Sequence, residues 1–212
     1  MNQFFKIKYL LVLPAIFLIG CSNPEDDIKT SDYLPSADVN TSYIYDIEPR
    51  ENGIKSGGFQ LETIIRKIDG NCFYIDEYMI LGEDQLKGIP EEIKVKIKNN
   101  KTLSDRKELC SDNNKIYGKN NNILYQKNKD WKKRIDIGNE FTMATCKFIS
   151  IKSKNIFNKE RKVIHTKCYY KINDNEFNKG SMENFLAEGI GVYKTIFSSG
   201  DVVFTGTMKE IK

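Results

Sequence analysis

The segment TCKFISIKSKNIFNKERKVIHTKCYY, residues 145–170, contains two runs typical of β-strands with a turn between them. The outer runs, TCKFISI and KVIHTKCYY, are rich in β-branched and aromatic residues, which favour strands. We interpret them as the arms of one antiparallel hairpin that turns near Phe157. Cys146 and Cys168 are equally far from Phe157 along the chain, so this register places the two cysteines directly opposite each other.

Similar short runs occur along the chain from about residue 41 onward, separated by Gly, Asn and Asp. They are SYIYDI at 42–47, FQLETIIRKI at 59–68, CFYIDEYMIL at 72–81, EIKVKIK at 92–98, GVYKTIF at 191–197 and DVVFTGTMKEI at 201–211. Two short segments, Leu103–Leu109 and Met182–Phe185, favour helix. The pattern predicts a mainly β fold, built as a curved antiparallel sheet of the half-barrel or barrel-like kind with few short helices.

The last two runs form a predicted hairpin with the four-residue connection 198–201, in which Gly200 supplies a positive φ. Before it, FLAEGIGVYK at 185–194 is similar to a closing strand of several secreted and lipid-anchored β families of the half-barrel type. Two glycines spaced two apart, Gly189 and Gly191, predict a bulge or the close approach of another backbone. This resemblance covers about ten residues and implies no function.

The first twenty residues have the features of an export signal. Lys6 and Lys8 precede the apolar run LLVLPAIFLI at 10–19, and no acidic residue interrupts the segment. A membrane-spanning helix needs about 20 apolar residues, so this shorter run predicts a removable signal helix over residues 1–20.

The segment ends in Leu18, Ile19, Gly20 and Cys21, which resembles the lipobox of the bacterial lipoprotein family. The resemblance covers residues 1–21. It implies cleavage before Cys21, a diacylglycerol thioether on the Cys21 thiol, and an acylated amino terminus, with palmitate as the acyl chain. Each buried methylene contributes about 0.8 kcal/mol, so several chains hold a protein on a bilayer. An ordinary signal peptide with a cysteine beside its cleavage site is the alternative.

The resemblance also implies a location in the cell envelope. Ser22, rather than an aspartate, follows Cys21. In sorting of the enterobacterial type this favours the outer membrane, with the domain facing the periplasm, if the host is Gram-negative. Residues 21–40 contain two prolines, several acids and few large apolar residues, which predicts a flexible, disordered tether before a single domain over 41–212. Packing of Tyr33 and Leu34 on that domain is the alternative.

With Cys21 assigned to lipid, four cysteines remain in an exported chain, which favours disulfides. The hairpin register predicts a disulfide between Cys146 and Cys168, and this leaves Cys72 to form a disulfide with Cys110. A zinc site is the alternative, disfavoured because no C-x-x-C spacing occurs. We therefore predict no metal and no other cofactor.

Charge argues against a nucleic-acid partner. Removing residues 1–20 deletes two lysines and no acid, so 31 basic and 29 acidic residues remain. A local cluster, Lys127, Lys129, Lys132, Lys133 and Arg134 around Trp131, predicts a solvated loop, with contact to lipid head groups or an acidic partner as the alternative.

The sequence offers no catalytic constellation. In the hairpin register the single histidine, His165, lies opposite Ile149, which predicts a structural role, and no G-x-S-x-G, H-E-x-x-H or S-x-x-K motif occurs. Asp76 and Glu77 are adjacent on a predicted strand and therefore point to opposite faces of the sheet. We expect a protein that is not an enzyme.

Three functions fit this description. The first is a lipid-anchored extracytoplasmic protein with a non-enzymatic binding, scaffold, inhibitor or immunity role toward an envelope protein, held on the lipid bilayer through acylated Cys21. The second is a carrier of an acyl chain or other apolar ligand, whose concave face would be lined by Phe59, Leu61, Ile64, Phe73 and Ile75. The third is a hydrolase of unfamiliar type. An open apolar cavity would favour the carrier.

Overall fold

The computed structural model describes residues 24–82, 100–137, 140–171 and 179–212, and most of these belong to one antiparallel sheet. Its thirteen strands are β1 Ser42–Glu51, β2 Ile54–Lys55, β3 Phe59–Asp69, β4 Cys72–Ile80, β5 Lys101–Ser111, β6 Lys115–Gly118, β7 Asn122–Gln126, β8 Trp131–Ile137, β9 Glu140–Ile156, β10 Lys159–Lys171, β11 Lys179–Ala187, β12 Gly191–Ser199 and β13 Val202–Ile211. Two single-turn 3-10 helices, Thr30–Tyr33 and Lys119–Asn121, complete the described elements. No helix in these ranges is long and apolar enough to cross a membrane.

The sheet curls until its two ends nearly meet. Its strand order is β7-β6-β5-β4-β3-β1-β13-β12-β11-β10-β9-β8, with β2 paired to β1. Strands β7 and β8, at opposite ends of this order, contact each other through side chains: the Trp131 indole donates a hydrogen bond to the Ile123 carbonyl at 3.1 Å, and its ring lies edge-on to that of Tyr125. The prediction of a mainly β, barrel-like antiparallel sheet is confirmed.

The hairpin of β9 and β10 turns at Phe157 and Asn158, both with positive φ, and pairs Cys146 with Cys168 as the sequence predicted. Closer to the turn the predicted register is off by one residue. His165 lies opposite Ser150, because β9 carries an extra residue, Ile149, in a β-bulge. The structure contains the disulfides Cys146–Cys168 and Cys72–Cys110, each joining directly opposed residues of neighbouring strands.

The remaining described strand runs of the sequence lie in strands, whereas both helix predictions are wrong. Residues 103–109 belong to β5 and residues 182–185 to β11. Both segments contain good helix formers, but pairing with neighbouring strands and the Cys72–Cys110 bond override local propensity. The predicted strand 92–98 and the signal segment 1–20 lie outside the described residues.

Two loop predictions are also corrected. The connection between β12 and β13 has two residues, Gly200 and Asp201, because Ser199 pairs directly with Val202. Gly189 lies in the turn between β11 and β12, and Gly191 begins β12, so the two glycines do not lie within one strand. The predicted close approach of another backbone is present at Gly189, which forms backbone hydrogen bonds with Asp32 and Ser36.

The segment preceding β1 packs against the sheet from residue 24 onward, so the prediction of a flexible tether over 21–40 is wrong for 24–40. Although large apolar residues are few, Ile28, Tyr33 and Leu34 are buried in the core. Backbone hydrogen bonds fix the segment, since the Ser36 amide donates to Gly189 at 2.9 Å and the Gly189 amide donates to Asp32 at 2.7 Å.

Candidate binding cavity inside the sheet

The curled sheet encloses a cavity of about 480 Å³, a volume typical of small-molecule sites. Most of its wall is apolar or aromatic, and the strands on both sides of β1 contribute to it. The apolar lining consists of Pro35, Tyr43, Tyr45, Ile47, Leu61, Ile75, Leu109, Leu124, Ile190 and Val192. An apolar ligand segment placed there would contact these side chains and would be partly removed from water.

Strand alternation explains both the lining and the empty space. Alternate residues of β1 and β3 point inward, but several inward positions elsewhere carry short side chains. Thr63, Thr195 and Gly206 line the cavity without filling it. A Cβ at Gly206 would lie 3.0 Å from the Ile47 Cδ1 atom, so a larger residue there would displace the Ile47 side chain.

Two tyrosines present rings to the cavity and keep their hydroxyl groups neutral. The Tyr45 hydroxyl donates a hydrogen bond to the Val192 carbonyl at 2.7 Å, and burial raises its pKa far above the ordinary value. Burial also raises the pKa of Tyr43 to about 12. The aromatic wall is therefore uncharged at any physiological pH.

Charged and amide groups also line the cavity. Glu77 points inward from β4, forms an ion pair with Lys107, and accepts a hydrogen bond from the Ser104 hydroxyl at 3.2 Å. Asp76, its neighbour, points outward and binds the Arg66 guanidinium at 3.0 Å. The prediction that these two carboxylates face opposite sides of the sheet is confirmed.

In the basic cluster around Trp131, Lys132, Lys133 and Arg134 belong to strand β8, so the prediction of a loop is wrong for them, whereas Lys127 and Lys129 lie in the turn before this strand. Trp131 and Lys133 point inward and are buried, whereas Lys132 is exposed. The alternative of a surface patch for lipid or acidic partners is also wrong for Lys133, which is buried and lines the cavity. The alternation of buried residues at 131, 133 and 135 is typical of a strand. It was missed because the central position is a lysine, which does not continue a hydrophobic pattern.

His165 belongs to an ion-pair cluster. Its Nε2 atom lies 2.7 Å from Glu183, whose other carboxylate oxygen accepts a hydrogen bond from Lys167 at 2.8 Å, and its ring stacks on that of Phe185. Burial raises the pKa of Glu183, but the hydrogen bonds from Lys167 and His165 outweigh burial and hold that pKa below its ordinary value. These contacts give His165 a structural role.

Of the five residues expected to line a carrier site, the structure places two, Leu61 and Ile75, on the cavity wall. Phe73 is buried in the core instead. The lipidation candidate Cys21 lies outside the described residues. The remaining four cysteines are paired in disulfides.

No protein-family model matches this chain, and no curated protein matches it. Among solved structures, a candidate lipoprotein from Parabacteroides distasonis aligns with a TM-score of 0.50 and 8% identity, over 85% of this chain and 98% of that chain. A candidate exported protein with a YmcC-like fold from Bacteroides fragilis aligns with a TM-score of 0.49 and 9% identity, over 84% and 98%. The hypothetical lipoprotein YmcC of Escherichia coli aligns with a TM-score of 0.32 and 12% identity, over 78% and 86%. At such identities, the first likeness concerns the fold alone.

Proposed function

We propose that this chain is a lipid-anchored, non-enzymatic binding protein of the cell envelope, whose curled sheet encloses the apolar part of a small ligand. The observation that carries the proposal is the cavity of about 480 Å³ with its wall of tyrosine and aliphatic side chains. A filled core would have left only the outer surface for binding. The enclosed apolar space instead favours the carrier over the scaffold or inhibitor.

The position of the N-terminal segment is compatible with this role. Pro35 lines the cavity, and the same segment begins a few residues after the proposed acylation site Cys21. An anchor there would hold the cavity close to the bilayer, where apolar ligands are concentrated. The lipobox-like sequence supports the anchor, and Ser22 supports outer-membrane sorting in a host with two membranes.

The cavity is tested by filling it. The fluorescent probe N-phenylnaphthylamine, which is neutral and apolar, should bind the purified extracytoplasmic chain with a saturable fluorescence increase. Leu61→Trp places an indole in the cavity and should weaken probe binding at least about tenfold, a loss of roughly 1.4 kcal/mol. Ile68→Trp, on the exposed part of the same strand, is the matched control and should bind as the wild type does. Equal binding by all three proteins would contradict the proposal.

The anchor is tested separately in cells. Metabolic labelling with a palmitate analogue should label the wild type, and Cys21→Ala should lose the label. Fractionation of the labelled protein then distinguishes the outer from the inner membrane. An unlabelled wild type would contradict the anchor and would leave the cavity test unaffected.

A surface role remains a second candidate because the outer face near the β8 edge exposes large apolar groups. Phe141, Met143 and Tyr169 are each at least half exposed there. An envelope protein could dock on this face. Photo-crosslinking from position 143 in intact cells should give one discrete adduct. Ile54, an exposed position on a distant strand of the sheet, is the control site. Identical adducts from both sites would contradict docking.

A further inference from the structure

Lys133 is a buried cation on the cavity wall with no acidic partner among the described residues. It extends inward from β8 and retains 6% of its surface exposure. The small residue Ala144 lies directly opposite it on β9 and leaves room for the side chain. Its ammonium group contacts the thioether sulfur of Met182 at 3.5 Å, and a thioether is a weak acceptor.

A second unsatisfied donor lies beside this contact. Asn184 follows Met182 by two residues, so both side chains lie on the inner face of β11. Asn184 is almost fully buried and lines the cavity, and its side-chain nitrogen has no hydrogen-bond partner in the described part of the chain. Buried donors without acceptors are costly, so two of them on one wall indicate a missing acceptor.

Among the described residues, no carboxylate forms an ion pair with Lys133. Of the other charged residues on the cavity wall, Glu77 is paired with Lys107, and the Arg106 guanidinium lies 3.7 Å from Asp76 on the outer face. Burial, followed by repulsion from Lys107, lowers the pKa of Lys133 to about 8, so most of the population is still charged at pH 7.

We propose that Lys133 and Asn184 bind the anionic head group of an amphipathic ligand whose apolar chain occupies the rest of the cavity. This inference rests on the proposed cavity function and adds the ligand class. A carboxylate or a phosphate ester would accept hydrogen bonds from both side chains and neutralise the buried ammonium group. A purely apolar ligand would leave both donors unsatisfied.

The test compares three competitors that share one alkyl chain. Dodecanoate, dodecyl phosphate and dodecanol are titrated against bound N-phenylnaphthylamine at pH 7, below the micelle concentration of each. The wild type should release the probe at an anion concentration at least about tenfold lower than that of dodecanol, because charge-assisted hydrogen bonds form only with the anions. The anion that releases the probe at the lower concentration identifies the preferred head group as carboxylate or phosphate.

Lys133→Met should abolish this preference, measured as the ratio of the dodecanol and anion concentrations that release half of the probe. Lys132→Met, which removes an exposed lysine from the neighbouring position of β8, should keep the preference. The inference would be overturned if Lys133→Met kept the preference for anions, or if the wild type showed no such preference. Displacement of the probe by dodecanol would still support the cavity in either case. If no competitor displaces the probe, both proposals fall.

A titration of the wild type gives an independent readout should Lys133→Met fold poorly. The anion preference should hold below pH 8 and decline at higher pH, where the free Lys133 amine becomes neutral. Tyr43 and Tyr45 remain neutral over this range. A preference that is constant from pH 7 to about pH 10 would contradict the assignment of Lys133.

Discussion

The interior of the sheet has a packed part and a hollow part, although the same inward alternation of strand residues lines both. In the packed part, the ring of Tyr125 contacts those of Trp131 and Phe148 edge-on, beside the Cys146–Cys168 disulfide. In the hollow part, tyrosines and aliphatic residues surround about 480 Å³ of space. Strand patterning therefore determines which side chains point inward, and their volume determines whether a core or a binding site results.

The largest expected difference is in the loss of unfolding free energy when a leucine of each part is replaced by Ala. Leu186, fully buried in the packed part, should lose about 3–5 kcal/mol of unfolding free energy on replacement by Ala, because the neighbours cannot collapse into the void. Leu61 borders existing space, so Leu61→Ala should lose only about 1–2 kcal/mol. Urea denaturation of both variants checks this, and equal losses would contradict a hollow region beside Leu61.

The two disulfides sharpen the comparison, since one lies in the packed part and the other joins β4 to β5. Paired replacement of Cys146 and Cys168 by Ala, or of Cys72 and Cys110, should each reduce the unfolding free energy by about 2–4 kcal/mol, mainly by freeing the unfolded chain. Denaturation under oxidising conditions measures both losses. Four free thiols in the native, oxidised protein would contradict the pairing.

A smaller effect with the opposite sign is expected at the buried ammonium group. Lys133→Met removes an uncompensated buried charge from the wall and should stabilise the fold by about 1–3 kcal/mol at pH 7. The folded pKa of about 8 lies below the unfolded value, so the unfolded state binds more protons at intermediate pH. Wild-type stability should thus rise from about pH 8 toward pH 10 relative to Lys133→Met. A flat difference over this range would contradict the lowered pKa of Lys133 in the folded protein.

The packed part was largely predictable from sequence, because a hairpin fixes its own register. The symmetric placement of Cys146 and Cys168 around Phe157 was sufficient to pair all four remaining cysteines once Cys21 was assigned elsewhere. The position of His165 was missed by one residue, because the bulge at Ile149 has no signature in the local sequence.

The hollow part was predictable only in outline. Leu61 and Ile75 followed from alternation, but Lys133 was assigned to a loop because a lysine at an inward position breaks the hydrophobic pattern of β8. The packing of the segment before β1 was missed for a related reason. Its few apolar residues are enough to cover the sheet locally, but the average composition of the segment is polar and predicted a flexible tether. Both errors concern residues that the tertiary structure buries against local preference.

The most direct test of the central claim is the location of an apolar ligand bound to the folded chain. Methyl NMR spectra recorded during titration with dodecanol should show saturable shifts at cavity-wall methyl groups, those of Leu61, Ile75 and Val192. The methyl groups of Ile116, which is buried and pairs with Tyr125 in the packed part, should not shift, and neither should those of the exposed Ile54. Shifts confined to exposed methyl groups, or no saturable shift at all, would contradict an internal binding site.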